Sequence, residues 1–356
     1  MKFASGNSLK LRRLLRFGGA WLSAACCLAQ SASAPTPTST NIFAPNSTPA
    51  DEIFGLSMFV LAVTGTIFAI VFSLLLYAAI KFRKRANDDL REPLQIYGSD
   101  QLEMAWTVIP VLIVIVLFMT SARVIHAVQD ARRPPGTIEV TVIGHQFWWE
   151  YRYPQYGFVT ANELHVPVSD PGHPTPTFLK LLSADTDHSF WIPRLAGKTD
   201  LIPNHPNSTW VDPHEAGLYL GQCAQYCGTQ HAKMLLRASV DSRADFDRWV
   251  QAQQQIARDE SALSAEALEG RRVFHATACV NCHAIAGTKA DGRFGPDLTH
   301  LMSRETIASG VAGNTAAELR RWVQNPAAIK PGSLMPSMNL TDTELDEVTA
   351  YLLTLH

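Results

Sequence analysis

The chain has 356 residues, enough for two or three domains that each bury a core. Its formal net charge of -2 at pH 7 points to no polyanionic partner, and there is no nucleic-acid signal. Apolar residues make up 47% of the chain but are unevenly spread: residues 53–80 and 104–122 hold no charged side chain, and nearly all the rest reads as a water-soluble protein.

The N-terminus carries Lys2, Lys10, Arg12, Arg13 and Arg16, then an apolar run from Phe17 to Ala29 and the small residues Ser31, Ala32, Ser33 and Ala34. That order predicts a secretory signal peptide over residues 1–34, with a retained membrane anchor as the alternative. Pro35 is a poor residue just after a cut at Ala34, which leaves the cleavage point open. Residues 35–50 are rich in Pro, Thr and Ser and read as a flexible linker. Ile53–Ile80 supplies 28 uncharged residues, which at about 1.5 Å per residue cross about 30 Å of hydrocarbon. Met104–Ala122 supplies 19, just sufficient, and a buried core helix containing Pro110 is the alternative there. Residues 35–130 are therefore read as a linker and a transmembrane hairpin, with helices at about 53–80 and 104–126. Lys81, Arg83, Lys84 and Arg85 open the connecting loop, whereas residues 17–80 contain no Lys or Arg. The loop is expected in the cytoplasm and all the mass from residue 130 onward outside it; Arg123, Arg132 and Arg133 weaken the asymmetry without reversing it.

From Thr137 to about Val240 the pattern changes to short β-branched and aromatic runs, such as Thr137–Ile143, Phe178–Leu182 and Leu235–Val240. Cut by Pro, Gly, Asn and Asp, they predict a small antiparallel barrel or sandwich over residues 131–245, with no amphipathic helix before Phe246–Ile256. Near its end stands Cys223-Ala-Gln-Tyr-Cys227-Gly-Thr-Gln-His231-Ala-Lys-Met234. Two thiolates, an imidazole and a thioether make a soft donor set that suits copper or zinc and poorly suits magnesium or calcium. A zinc site of two Cys and two His is the rival, and the thioether argues for copper. The chain's six cysteines fall in three close pairs, Cys26/Cys27, Cys223/Cys227 and Cys279/Cys282. The latter two stand beside histidines, which suggests metal or haem; a disulfide is the bland alternative for an exported domain.

The spacing Cys-x3-Cys-x3-His-x2-Met, with Asp187-His188-Ser189-Phe190-Trp191 upstream, resembles the binuclear copper centre, CuA, of cytochrome c oxidase subunit II. The resemblance spans roughly residues 50–250, including Gly144-His145-Gln146-Phe147-Trp148-Trp149 and Gly197-Lys198-Thr199-Asp200. It implies a cupredoxin-like barrel whose copper pair is held by His188, Cys223, Cys227, His231, Met234 and the backbone carbonyl of Gln225, with both thiolates bridging. Glu103-Met-Ala-Trp106-Thr107-Val-Ile-Pro110 resembles the start of the family's second transmembrane helix. That match implies a place for Glu103 at the mouth of a proton-uptake path in subunit I; a solvated carboxylate favoured by the helix dipole is the alternative. Two positions depart from the family pattern. Phe147 stands where a Trp usually receives the electron, and Trp148 and Trp149 follow as further candidates. Gln225 stands where a Glu usually helps hold a magnesium ion at the subunit interface, which puts that ion in doubt unless Asp200 or a subunit I carboxylate compensates.

Residues 241–263 are polar and helix-prone, with Gln at 253, 254 and 255; a connector is assigned to 246–263 and a last domain to 264–356. There, Cys279-Val-Asn-Cys282-His283 is the attachment signature of c-type haem, two thioether bonds and an axial imidazole. Alone it could be chance or a redox CxxC. Gly295-Pro296-Asp297-Leu298 and Lys330-Pro331-Gly332-Ser333-Leu334-Met335-Pro336 resemble the cytochrome c loops that pack the proximal His and deliver the distal Met. Met335 is the expected sixth ligand; Met338 and Met302 are the alternatives, with core packing the default for Met302. Thr341 and Glu344 form a predicted capping box opening a final amphipathic helix through Leu345, Val348 and Leu352.

Together the parts give a multidomain chain: a two-helix hairpin, an all-β cupredoxin-like barrel and an all-α cytochrome c domain. The whole resembles subunit II of the caa3-type haem–copper oxidases of bacteria. That implies a relay from an external donor, cytochrome c or a bc1-type complex, through one covalent haem c and a two-copper CuA centre to subunit I. Oxygen is reduced to water there with proton translocation, and not by this chain alone. Subunit III is a further implied partner, and the bacterial plasma membrane, with both redox domains on the periplasmic side, the implied place. Fusion would replace a diffusional encounter by an intramolecular one. A free-standing tethered electron carrier, like the CuA domains of nitrous oxide and some nitric oxide reductases, is the rival, disfavoured by the Glu103–Pro110 match. A copper-free quinol oxidase subunit is disfavoured by the presence of all five side-chain ligands.

Overall fold

The computed structural model describes residues 40–83, 95, 97–170, 172, 174–256 and 263–356. The expected signal peptide, Lys84, Arg85 and the end of the connector lie outside the described residues. Helix α1, Thr48–Lys81, has proline in its first turn, where a missing N–H costs nothing. Helix α2, Asp100–Gln129, has Asp100 and Glu103 in its own first turn, where the helix dipole favours acids. Both outrun their charge-free centres because polar flanks keep up the backbone ladder beyond the apolar stretch. No residue of α2 is buried, which removes the core-helix alternative. Phe68, Leu74, Leu75, Phe118 and their neighbours point outward, as a lipid-facing pair requires.

The helices are tied to the sheet region at their outer ends. Trp210 donates its Nε1–H to the carbonyl of Val128 at 2.7 Å, and the Thr48 hydroxyl donates to Asp212 at 2.5 Å.

Ten strands form two five-stranded sheets. The first takes β3 (Phe158–Ala161), β2 (Trp148–Tyr153), β1 (Ile138–His145), β5 (Thr177–Ser183) and β8 (Asn207–Val211), in that order. The second takes β4 (Glu163–Pro167), β10 (Leu235–Asp241), β9 (Gly217–Cys223), β6 (His188–Trp191) and β7 (Thr199–Leu201). The expectation of an antiparallel domain needs correcting: β1 and β5 run parallel, as do β4 and β10. The chain leaves the first sheet after β3, adds β4 to the second and returns as β5, and such crossovers bring strands back in the same direction. Trp149, Tyr151, Tyr153, Leu179, Phe190 and Tyr219 fill the space between the sheets.

The segment read as a connector begins as part of this core. Helix α3, Arg243–Gln253, starts at Ser242, whose hydroxyl accepts the amide of Asp245. Its Phe246 and Val250 are buried in the barrel cluster, and Trp249 stacks on His165 at 4.2 Å.

The C-terminal region is helical: α4 (Ala265–Ala276), α5 (Cys279–Cys282), α6 (Ala316–Gln324), α7 (Pro326–Ile329) and α8 (Asp342–Leu352), with the short strands β11 (Thr306–Ile307) and β12 (Ala312–Gly313). The capping box at Thr341 and Glu344 is formed, and Leu345, Val348 and Leu352 of α8 are buried. Phe274 of α4 meets Tyr351 of α8 edge-on at 5.7 Å, so the two helices close one core.

Candidate metal and haem sites

The copper candidates come together. Cys223 ends β9, Met234 immediately precedes β10, and the loop between them carries Gln225, Cys227 and a single 3-10 turn starting at His231. His188 arrives from the next strand, because β6 pairs with β9 with Phe190 opposite Cys223. The two sulfurs are 3.9 Å apart. His188 Nδ1 lies 3.9 Å from Cys223 Sγ and His231 Nδ1 lies 3.7 Å from Cys227 Sγ. Met234 Sδ is 3.9 Å from Cys227 Sγ, and the Gln225 carbonyl is 3.2 Å from Cys223 Sγ. Cys223, Cys227, Met234 and His188 are all buried. Two central sulfurs with two imidazoles, a thioether and a carbonyl around them exceed the four donors that a closed zinc site uses, and the mainly soft set suits a copper pair.

The two thiols, 3.9 Å apart, are pushed in opposite directions because they share one proton. Cys223 is held down by the S–H of Cys227 donating to it, with His188 adding to the effect against burial, and Cys227 is pushed up by the same bond. Burial pulls His188 down, but hydrogen bonds with Asp185 and Cys223 outweigh it and leave its pKa raised.

Asp185 was not legible as part of this site. Its Oδ1 lies 2.8 Å from His188 Nε2, while the amides of Gln146 and Thr186 donate to the same carboxylate at 2.7 Å. It fixes which imidazole nitrogen faces the sulfurs. The sequence shows only acids at both 185 and 187 before the histidine, and the turn decides which one reaches back. Gly144 leaves room for the ring, since a Cβ there would lie 2.8 Å from His188 Cδ2. Asp185→Asn is expected to weaken copper binding about 10- to 100-fold while the sheet stays folded. Competition with a copper chelator measures this, and unchanged affinity would show that Asp185 does not orient the ligand.

The haem candidates line one cleft, which includes Cys279, Cys282, His283, Met335 and Met338 and has about 1250 Å³ of empty space, its open mouth included. His283 Nδ1–H donates to the Pro296 carbonyl at 2.7 Å, which leaves Nε2 as the free ligand atom. Burial lowers its pKa more than that bond raises it, so the ring is kept neutral. Gly295 packs against it: a Cβ there would be 2.6 Å from His283 Cε1. Arg304 is buried at the cleft with Nε lacking a hydrogen-bond partner, as suits a group bearing carboxylates. Met302 instead packs against the helical core and is outside the cleft lining.

The aromatic candidates split. Phe147 and Trp148 line the haem cleft, although they belong to the barrel, at the β1–β2 turn and the start of β2. Phe147 lies against Gly228, next to Cys227. Trp149 is fully buried behind the copper donors, 6.0 Å from the His188 ring. Glu103 joins neither site and stands exposed in the first turn of α2.

Comparison with known proteins accounts for the order of these parts. Residues 35–124 match the family model described as cytochrome c oxidase subunit II, transmembrane domain, and residues 171–240 its periplasmic domain. Residues 267–356 match the model for cytochrome c. A cytochrome c oxidase subunit 2 from Alkalihalophilus pseudofirmus is 31% identical over 316 residues, covering 87% of this chain and 89% of the relative. The chain belongs to the cytochrome c oxidase subunit 2 family. The subunit 2 of Bacillus sp. PS3 is 32% identical over 77% of this chain and 80% of its own. The crystal structure of the periplasmic domain of subunit II from Bradyrhizobium japonicum is 27% identical, with a TM-score of 0.32, over 35% of this chain and 97% of that one. Membership makes the chain an electron-transferring subunit II of a haem–copper oxidase, with a CuA domain and a C-terminal cytochrome c, set in a membrane by its helical hairpin.

Proposed function

We propose that this subunit II takes electrons one at a time from an external donor at residues 264–356 and delivers them through the barrel to subunit I in the bacterial plasma membrane. The observation that carries the reading is the shared turn: Phe147 and Trp148 line the haem cleft, while Gln146 beside them donates to the Cys227 carbonyl at 2.6 Å. When bound, haem c and the copper pair each supply reversible one-electron redox chemistry with no free coordination position.

The residues have separable tasks. Cys279 and Cys282 would offer thiols for covalent attachment, His283 its Nε2 and Met335 its thioether. His188, Cys223, Cys227, His231, Met234 and the carbonyl of Gln225 would hold two coppers. Burial of Phe147, Trp148 and Trp149 keeps water from the space between the sites. The Gln225 side chain is a neutral amide, so it brings no charge to an interface magnesium site. Glu103 at the start of α2 suits the mouth of a proton path, which a partner subunit would complete. Subunit III, and cytochrome c or a bc1-type complex as donor, complete the assembly.

The Lys81 and Arg83 end of α1 is placed in the cytoplasm and the redox regions outside. In intact spheroplasts, a membrane-impermeant one-electron donor should reduce haem c first, then copper, and then drive oxygen uptake. Reduction only after the membrane is broken would overturn the orientation, and copper reduced ahead of haem c would overturn the order.

A further inference from the structure

Lys330 is 3% exposed, and no other lysine is that deeply buried among the described residues. Its Nζ donates to the Phe147 carbonyl at 2.7 Å and to the Ala308 carbonyl at 3.2 Å. The first of these belongs to the barrel and the second to the cytochrome region, as Lys330 itself does. Burial pulls the amine down to about 7, and a neutral amine has two N–H donors for two carbonyls. Burying an ammonium or an amine without partners costs several kcal/mol. The bond to Phe147 forms only when the two regions are docked.

Glu163 crosses the same boundary in the other direction. It is 6% exposed, at the start of β4 in the barrel. Its carboxylate accepts the amides of Glu305 and Thr306, each at 3.0 Å, and the Thr306 hydroxyl at 2.7 Å. Arg237 of β10 lies 3.4 Å from Glu163 and also pairs with Glu305. Between these two side chains the ligand loops touch directly. Gln230, next to His231, donates to the Pro331 carbonyl, and Lys233, next to Met234, donates to the Ile329 carbonyl at 3.3 Å. The chain that presents Met335 is thus hydrogen-bonded to the chain that presents the copper ligands.

We infer that Lys330 and Glu163 are positioning residues: two buried polar side chains crossing the interface in opposite directions that clamp the cytochrome region on the barrel and fix the Gln146–Phe147 turn between the two redox sites. The cytochrome is then a docked part of the relay rather than a module free of the barrel. The inference rests on haem and copper occupying the sites assigned above.

The test uses the full oxidase in detergent. Electron exchange between haem c and CuA is started by a light flash, and the same samples give both optical spectra and the haem potential. In the native enzyme the exchange rate should be insensitive to ionic strength, because a buried contact is screened little. Lys330→Met should slow it between about tenfold and a hundredfold, since small misplacements of a redox partner have effects of that size. The slowed rate should also become salt-dependent, with spectra and haem potential unchanged. Glu163→Gln gives an independent reading if Lys330→Met does not fold: hydrogen exchange at the Glu305 and Thr306 amides should accelerate, together with a slower rate. Native-like rate and amide protection in the variants would overturn the clamp, as would a salt-dependent rate in the native enzyme. Loss of either spectrum in the native enzyme would instead overturn the site assignment on which the inference stands.

Discussion

Serine in place of Cys227 should strip copper from the barrel and leave haem c covalently attached. Cys227 stands at the middle of the donor set, with Cys223 Sγ, His231 Nδ1 and Met234 Sδ all within 3.9 Å of its sulfur. A hydroxyl is a hard, poorly ionised donor that cannot bridge two soft metal ions as a thiolate does. The substitution conserves size at a buried position, so the sheets should stay folded. Loss of an outer orienting group typically lowers affinity about 10- to 100-fold, and loss of a bridging ligand should exceed that. Copper analysis should find the pair gone, with donor-driven oxygen uptake down by at least about a hundredfold. A purely structural Cys227 would lower the melting temperature and keep both the copper and its visible absorption.

Alanine at Met335 is expected to change the haem without releasing it. Both Met335 and Met338 line the same cleft as His283, and the loop that carries them is anchored at Lys330. Attachment depends on Cys279 and Cys282, so haem content should stay near one per chain. Loss of an axial thioether removes the ligand that holds the potential high, and axial ligands set haem potentials over a range of about 0.8 V. The sulfur-to-iron absorption band should vanish and the potential should fall by on the order of 0.1 V or more. The same result from Met338→Ala, with Met335→Ala silent, would move the ligand three residues along.

What was legible in the sequence was chemistry tied to fixed spacing. Cys-x3-Cys-x3-His-x2-Met is a local motif, and β9, one loop and β10 suffice to gather most of it. Cys279, Cys282 and His283 likewise sit on one short helix and its end. The hairpin was legible because hydrocarbon demands long uncharged runs. Strand direction was not, since period-2 patterning fixes which face is buried and says nothing of the order in which a chain revisits a sheet. Asp185, Gln146 and Lys330 escaped for a related reason. Each acts on a residue brought near only by folding: Lys330 on the Phe147 carbonyl, Gln146 on the Cys227 carbonyl, Asp185 on a ring turned toward it. Phe246 misled in the opposite sense: the helix from Phe246 was legible, but its polar neighbours disguised that it completes the barrel core rather than opening a connector.

The account stands on two redox centres in one chain, and metal stoichiometry reads that most directly. Full-length chain purified in detergent, free of subunit I, should contain two coppers and one iron, with the iron in haem that resists extraction by acidic organic solvent. Zinc in place of copper, or haem that extracts freely, would contradict it.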